Sequence, residues 1–150
     1  MFRHGDRTPV NTFEGDLYTE KDWEQYGGFG QLTQTGMMQH FKYGQYLRDR
    51  YSSFLDPIYN RNKVFVRSTN VDRTLMSANS LLAGLFPPKD YQKFNANLDW
   101  QPIPIHTYDF DTDPIFFPMG NCPRYNELKN GVLKSQEYID TNNQYQVKLL

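Results

Sequence analysis

Residues 3–7, Arg-His-Gly-Asp-Arg, set one imidazole between two guanidiniums. A guanidinium offers a planar fork of donors that matches the oxygens of a phosphoryl group, so Arg3 and Arg7 together describe an oxyanion site. A neutral imidazole inside such a site is a nucleophile toward phosphorus. Gly5 lets the backbone come close to the ring. Its carbonyl is placed to hold the Nδ1 proton, which leaves Nε2 to face a substrate. Pro9 stiffens the turn that follows. The chemistry these residues suggest is covalent catalysis through a phosphohistidine, with His4 as candidate nucleophile. A third arginine, Arg67, ends the segment KVFVR directly before Ser68-Thr69-Asn70. A strand end followed by a helix start is where a further phosphate ligand is expected.

Such side chains need regular elements to position them. Residues 27–36, GGFGQLTQTG, read as a glycine-rich loop leading into a helix. From Met37 the apolar or small positions Met37, Phe41, Gly44, Leu47, Tyr51 and Phe54 recur every three or four residues, which predicts one face of an amphipathic helix. Asp56-Pro57 marks its end. Lys63–Arg67 is β-branched and aromatic and predicts a strand. Ser68-Thr69-Asn70 supplies capping residues for a second helix with the face Val71, Leu75, Ala78, Leu82 and Leu85, and Pro87-Pro88 stops it. Loop, helix, strand, helix fits an α/β architecture with a parallel sheet. In such folds ligands bind beyond the carboxyl ends of strands, where an RHG turn would carry His4, Arg3 and Arg7. After residue 95 the pattern weakens into WQPIPIHTYDFDTDP, a proline-punctuated extended run, and a further helix is expected from about Tyr125 to Leu133.

Composition excludes several function classes. The formal net charge of −1 gives no basic field for nucleic acid. With 11 Phe, 11 Tyr and 2 Trp, and 38% hydrophobic residues, the chain is too apolar for a disordered segment. No window holds the roughly 18 apolar residues of a membrane span. The N-terminus carries no apolar stretch of a signal peptide. The single cysteine, Cys122, has no partner within the chain.

Other residues have ordinary roles. Arg73 lies inside the second helix and is expected to be structural, paired with Asp72 or Asp49. Asp6, adjacent to His4 in a turn, is expected to point away from it, exposed or ion-paired. His40, near the apolar helix face, reads as a packing histidine, and His106 as a backbone-bonded residue of the extended run. Met37 and Met38 read as core filler. Gly27, Gly28 and Gly30 lack G-x-G-x-x-G spacing and a Walker lysine, so they indicate only a flexible turn.

RHGDRTP at 3–9, GFGQLTQTG at 28–36 and VRSTNVDRTLMSA at 66–78 resemble the histidine acid phosphatases of lysosomal and prostatic type, a branch of the histidine phosphatase superfamily. LFPP at 85–88, WQPIPIHT at 100–107 and GNCPRYNELK at 120–129 extend the resemblance over nearly the whole chain. It implies a mixed, mainly parallel sheet flanked by helices, phosphoglycerate mutase-like, with a smaller, mostly helical region over the site. On that basis residues 1–90 are part of the α/β core, and about 91–150 form a linking and cap-region part. The resemblance implies His4 as nucleophile, Arg3, Arg7 and Arg67 as phosphate ligands, and no metal or other cofactor. It also implies hydrolysis of small-molecule or protein phosphate monoesters, a homodimer, a lysosomal or secreted location, and a disulfide from Cys122 to a cysteine outside the chain.

One family feature is missing. The late His-Asp pair, whose aspartate protonates the leaving oxygen, does not occur: His40 and His106 precede Phe41 and Thr107. The apolar strand before RHG is reduced to Met1 and Phe2. The expectation is a fragment, incomplete at both ends and poorly active alone, since acid-base assistance is typically worth about 10²–10⁴-fold. Two alternatives stay open: a related inositol-phosphate phosphatase or other phosphoryl-transfer enzyme, and a non-catalytic phosphate-binding relative.

Overall fold

The computed structural model describes residues 1–145. The chain divides into two compact units, Met1–Thr107 and Tyr108–Leu150. In the first, a short helix α1 (Glu20–Trp23) precedes two long ones, α2 (Gln34–Arg50) and α3 (Asp72–Leu85). The second contains α4 (Pro118–Asn121), α5 (Pro123–Leu133) and α6 (Gln136–Tyr145).

Helix α2 starts three residues before the expected Met37, because the Thr33 side chain caps it, accepting from the Gly36 N–H at 3.1 Å. It also ends sooner. Tyr51 and Phe54 fall in the turns beyond Arg50 and are exposed, as is Met38, so none of the three fills the core. Helix α3 begins after Val71, with no side-chain cap. The expected caps are used differently: Thr69 and Thr74 share a hydroxyl contact of 2.8 Å, and Thr74 Oγ1 donates to the Val71 carbonyl.

Helices α2 and α3 pack through two glycines. A Cβ on Gly44 would lie 2.1 Å from the Leu81 carbonyl oxygen, and one on Gly84 would lie 2.1 Å from that of Phe41. Any side chain at either position would drive the backbones apart. This reciprocal fit lets the α3 backbone lie directly on α2, which fixes the frame on which the N-terminal turn sits.

Beside α3 lies the core of Leu82, Phe86 and Ile103, with Val64, Val66 and Ile105 packed against it. Val64 and Val66 alternate with Phe65, which is 71% exposed, and Ile103 and Ile105 alternate with exposed prolines. Both segments thus have the period of a strand. They pair only once, in a parallel bridge between Arg67 and His106, where the His106 N–H donates to the Val66 carbonyl and the Ser68 N–H to the His106 carbonyl, each at 2.9 Å. Pro104, two residues before His106, has no N–H with which to extend the ladder. Lys63 is already in a turn, its N–H donating to the Asn60 carbonyl. The expected strand Lys63–Arg67 is therefore an extended segment with one bridge, and no multi-stranded sheet forms among the described residues.

In the second unit, Cys122 caps α5: its Sγ accepts from the Tyr125 N–H at 3.4 Å, and Pro123 occupies the first turn. The helix ends at Leu133 as expected and begins two residues before Tyr125. No described helix is long and apolar enough to cross a membrane.

Candidate active site

The RHGDRTP segment runs between α2, α3 and the glycine-rich loop, and each neighbour takes hold of its backbone. On one side an antiparallel bridge joins Arg7 to Leu32. The Thr8 N–H donates to the Gln31 carbonyl and the Thr33 N–H to the Asp6 carbonyl, both at 3.0 Å. Thr8 is buried, and its hydroxyl donates to the Gly28 carbonyl at 2.8 Å while accepting from the Gln31 N–H at 2.9 Å. Gly27, Gly28 and Gly30, all with positive φ, turn the loop so that its carbonyls and N–H groups meet Thr8 and Pro9. The loop is a pinned partner of the turn rather than a flexible one.

Gly5 marks the closest approach. A Cβ there would lie 2.5 Å from the Gly36 carbonyl oxygen, and one on Gly36 would lie 2.2 Å from that of Asp6. The first turn of α2 is thus pressed against the backbone of the RHG segment. From the other side, fully buried Ser77 on α3 accepts from the Gly5 N–H at 3.1 Å and donates to the Arg73 carbonyl at 2.6 Å. The Asp6 N–H goes to Gln39 Oε1 on α2 at 3.0 Å.

These contacts orient the imidazole. His4 Nδ1 lies 2.8 Å from the Gly5 carbonyl oxygen. A carbonyl only accepts, so Nδ1 carries the proton, and in the neutral ring the lone pair is on Nε2. Arg3, His4, Gly5, Asp6, Arg7 and Gln39 line an open depression of about 420 Å³. One of the charged groups there is turned aside: Asp6 Oδ2 accepts from the Thr33 hydroxyl at 2.6 Å. Arg7 Nη1 donates to the Thr8 carbonyl at 2.7 Å, and Arg7 Nε is buried with no hydrogen-bond partner among the described residues.

The structure thus brings together three of the residues singled out in the sequence. Arg67 does not line that depression; it stands at the bridge to His106, five residues before α3 begins. His106 is bonded through its backbone, and its ring stacks on Phe65 at 4.7 Å. Arg73 departs from its expected pairing with Asp72 or Asp49. Its side chain crosses to the loop and donates to the Gly30 carbonyl at 3.4 Å, because the α3 face that carries it looks toward that loop rather than toward Asp49 near the end of α2. His40 is buried beneath the turn and packs on Phe2 at 5.2 Å. Burial holds its imidazole below the ordinary value; the Arg3 carbonyl, accepting from the ring, opposes this, and nearby His4 adds to the lowering. Its Nδ1 has no partner among the described residues, so it is only half satisfied.

Ser77 and Gln39 were not apparent from the sequence. Ser77 lies one position off the face of α3 that periodicity marks as buried, and the one signal for it is a small polar residue beside Ala78. For Gln39 it is a position one helical turn after Gly36 and hence on the same face.

The chain matches the model of the histidine phosphatase superfamily (branch 2) over residues 1–150. It is 54% identical over 139 residues to human lysosomal acid phosphatase, covering 92% of this chain and 32% of that protein. Human prostatic acid phosphatase is 51% identical over 139 residues, with 92% and 36% covered. The chain therefore spans about a third of the length of these relatives. Among solved structures it is similar to the phytase of Citrobacter braakii, with TM-score 0.61, 24% identity and 96% of this chain and 36% of that one covered. The phytase of Klebsiella sp. ASR1 gives TM-score 0.55 at 20% identity, covering 95% and 35%. These likenesses give the fold as the α/β histidine phosphatase fold.

Proposed function

This chain belongs to the histidine phosphatase superfamily, branch 2, and we propose that the protein containing it is an acid phosphatase that hydrolyses phosphate monoesters through a phosphohistidine on His4. The observation that carries this reading is the His4 Nδ1 contact to the Gly5 carbonyl inside a depression lined by Arg3 and Arg7. In the neutral ring it puts the lone pair on Nε2, in a depression where two guanidiniums would gather phosphoryl oxygens.

The reaction runs in two steps. Nε2 attacks phosphorus, the P–O ester bond breaks, and its electron pair leaves on the alcohol oxygen, which needs a proton from an acid. The Gly5 carbonyl stabilises the positive charge that the ring acquires, through the Nδ1 proton it already holds. Water then attacks the phosphohistidine and releases inorganic phosphate. Arg3 and Arg7 neutralise the equatorial oxygens in both steps, and Arg67 is proposed as a third ligand. Residues 1–150 contain no His-Asp acid, so this stretch alone is expected to have little or no activity on alkyl phosphates.

Family membership also supports finer readings. These are a mixed, mainly parallel sheet flanked by helices, a core part at 1–90 with a linking and cap part at about 91–150, and a disulfide from Cys122 to a cysteine elsewhere in the longer protein. A lysosomal or secreted location is proposed on the names of the relatives, and a homodimer on the family resemblance alone. Identity of 51–54% with the acid phosphatases, against 20–24% with the phytases, favours the lysosomal and prostatic acid phosphatase type over an inositol-phosphate phosphatase.

The test is hydrolysis of an aryl and an alkyl phosphate by the full-length protein and its His4→Ala variant. The enzyme reading expects turnover of both, lowered by about 10³-fold or more in the variant. A non-catalytic phosphate binder would hydrolyse neither and would bind inorganic phosphate equally well with and without His4.

A further inference from the structure

Two successive peptide units meet at Gly5, and each is held from a different helix. The His4–Gly5 unit donates its N–H to Ser77 on α3. The Gly5–Asp6 unit donates its N–H to Gln39 Oε1 on α2 at 3.0 Å, while its carbonyl accepts from His4 Nδ1 at 2.8 Å. The second unit is thus bonded at both ends in one line: Gln39 amide oxygen, Asp6 N–H, Gly5 carbonyl, His4 Nδ1–H. We propose that Gln39 is a positioning residue for the nucleophile. Through one peptide group it fixes the Nδ1–H tautomer of His4 and sharpens the acceptor on which that tautomer depends. The inference rests on the phosphohistidine reading for its kinetic consequence, but not for its structural one.

The physical basis is polarisation. A peptide whose N–H is engaged by an acceptor carries more negative charge on its carbonyl oxygen, and hydrogen bonds in a chain strengthen one another. The Gly5 carbonyl therefore binds Nδ1–H better when Asp6 N–H is occupied. Orientation adds to this. Asp6 is exposed and its side chain is drawn to Thr33, so nothing else in the turn aims this peptide's N–H at a fixed acceptor. Gln39 can do so because Gly36, one turn earlier on α2, lets the helix lie against the RHG backbone. Gln39 also lines the depression, so a charge placed there would be felt by a bound phosphate.

The experiment uses the full-length protein with ¹⁵N-labelled histidine, comparing wild type with Gln39→Met and Gln39→Glu. Methionine keeps the length and removes the acceptor; glutamate keeps the acceptor and adds a negative charge. The ¹⁵N spectrum of free protein reads the His4 tautomer, and rapid quench reads phosphoenzyme formation from an aryl phosphate. Inhibition by inorganic phosphate reads the integrity of the site. Gln39→Met should show His4 as a tautomer mixture and form the phosphoenzyme about three- to tenfold more slowly, with phosphate inhibition unchanged. Gln39→Glu should keep the single tautomer, with weaker phosphate inhibition.

A wild-type tautomer and rate in Gln39→Met would overturn the proposal. So would a parallel fall of rate and phosphate affinity in both variants, the mark of a merely structural residue. Absence of any phosphoenzyme in wild type would instead sink the phosphohistidine reading. The tautomer comparison would still decide the role of Gln39.

Discussion

At His4 the backbone is gripped from several sides: Gly5 N–H by Ser77, Asp6 N–H by Gln39, Asp6 carbonyl by Thr33, and Thr8 N–H by Gln31. At Arg67 the backbone pairing among the described residues is one parallel bridge to His106, supported by apolar side chains that pack toward Leu82, Phe86 and Ile103. The His4 segment carries two arginines proposed to meet phosphate and the Arg67 segment one, and both lie just ahead of a long helix in space or sequence. Their anchoring differs in kind. The His4 turn depends on directional polar contacts and on two glycines that admit no side chain. The Arg67 segment depends on burial, which tolerates small shifts. A nucleophile must be aimed to within a fraction of an ångström, whereas a guanidinium on a long stem can adjust.

The comparison is most easily broken at Gly5. An alanine Cβ there would meet the Gly36 backbone at 2.5 Å, and a helix backbone cannot give way as a side chain can. Gly5→Ala is expected to cost about 3 kcal/mol or more in unfolding free energy and to abolish phosphoenzyme formation. Denaturant unfolding and rapid quench of the full-length protein check both. On the Arg67 side, Ile103→Ala should cost about 2–3 kcal/mol through lost burial and an incompletely collapsed cavity. Its effect on function should appear as weaker phosphate inhibition with a nearly unchanged phosphorylation rate. If Ile103→Ala slowed phosphorylation as severely as Gly5→Ala, the division of labour between the two segments would be wrong.

Ser77→Ala sharpens the same contrast at smaller scale. It strands a part-buried Gly5 N–H and is expected to cost about 1–2 kcal/mol, with a fall in kcat and little change in KM. The smallest effect concerns pH. His40 is buried neutral beneath the turn, with its pKa lowered by burial. As pH falls through the ordinary histidine value, the unfolded chain takes up a proton that the folded one refuses, so stability drops. Wild type should lose up to about 1.4 kcal/mol per pH unit in that window relative to His40→Leu. Equal slopes for the two proteins would show that His40 titrates normally.

Much of the frame could be read directly from residue types and periods. The existence of α2 and α3, the helix near Pro123–Leu133 and the arginine–histidine cluster follow local rules. The buried faces do so only in part: α2 buries Gly36, His40 and Gly44, and of the expected α3 face Ala78 and Leu82 are buried. Other features depend on tertiary proximity. Gly36 and Gly44 look like weak points of a helix until the backbones they admit are seen, and Ser77 looks like a minor polar residue until Gly5 arrives beside it. The strand expected at Lys63–Arg67 follows its pattern but pairs only once, since a ladder needs donors on both sides and Pro104 supplies none. Sequence alone suggests Asp72 or Asp49 as the partner of Arg73, whereas the folded chain brings it the Gly30 carbonyl of the glycine loop.

The central claim is that His4 Nε2 takes the phosphoryl group. The most direct measurement is an acid-sparing quench of the full-length protein turning over an aryl phosphate, with the modified residue located by mass spectrometry. A phosphohistidine at residue 4 that disappears in His4→Ala is the predicted result. Phosphoenzyme recovered undiminished in His4→Ala, or steady hydrolysis by wild type with no phosphate on residue 4, would contradict it.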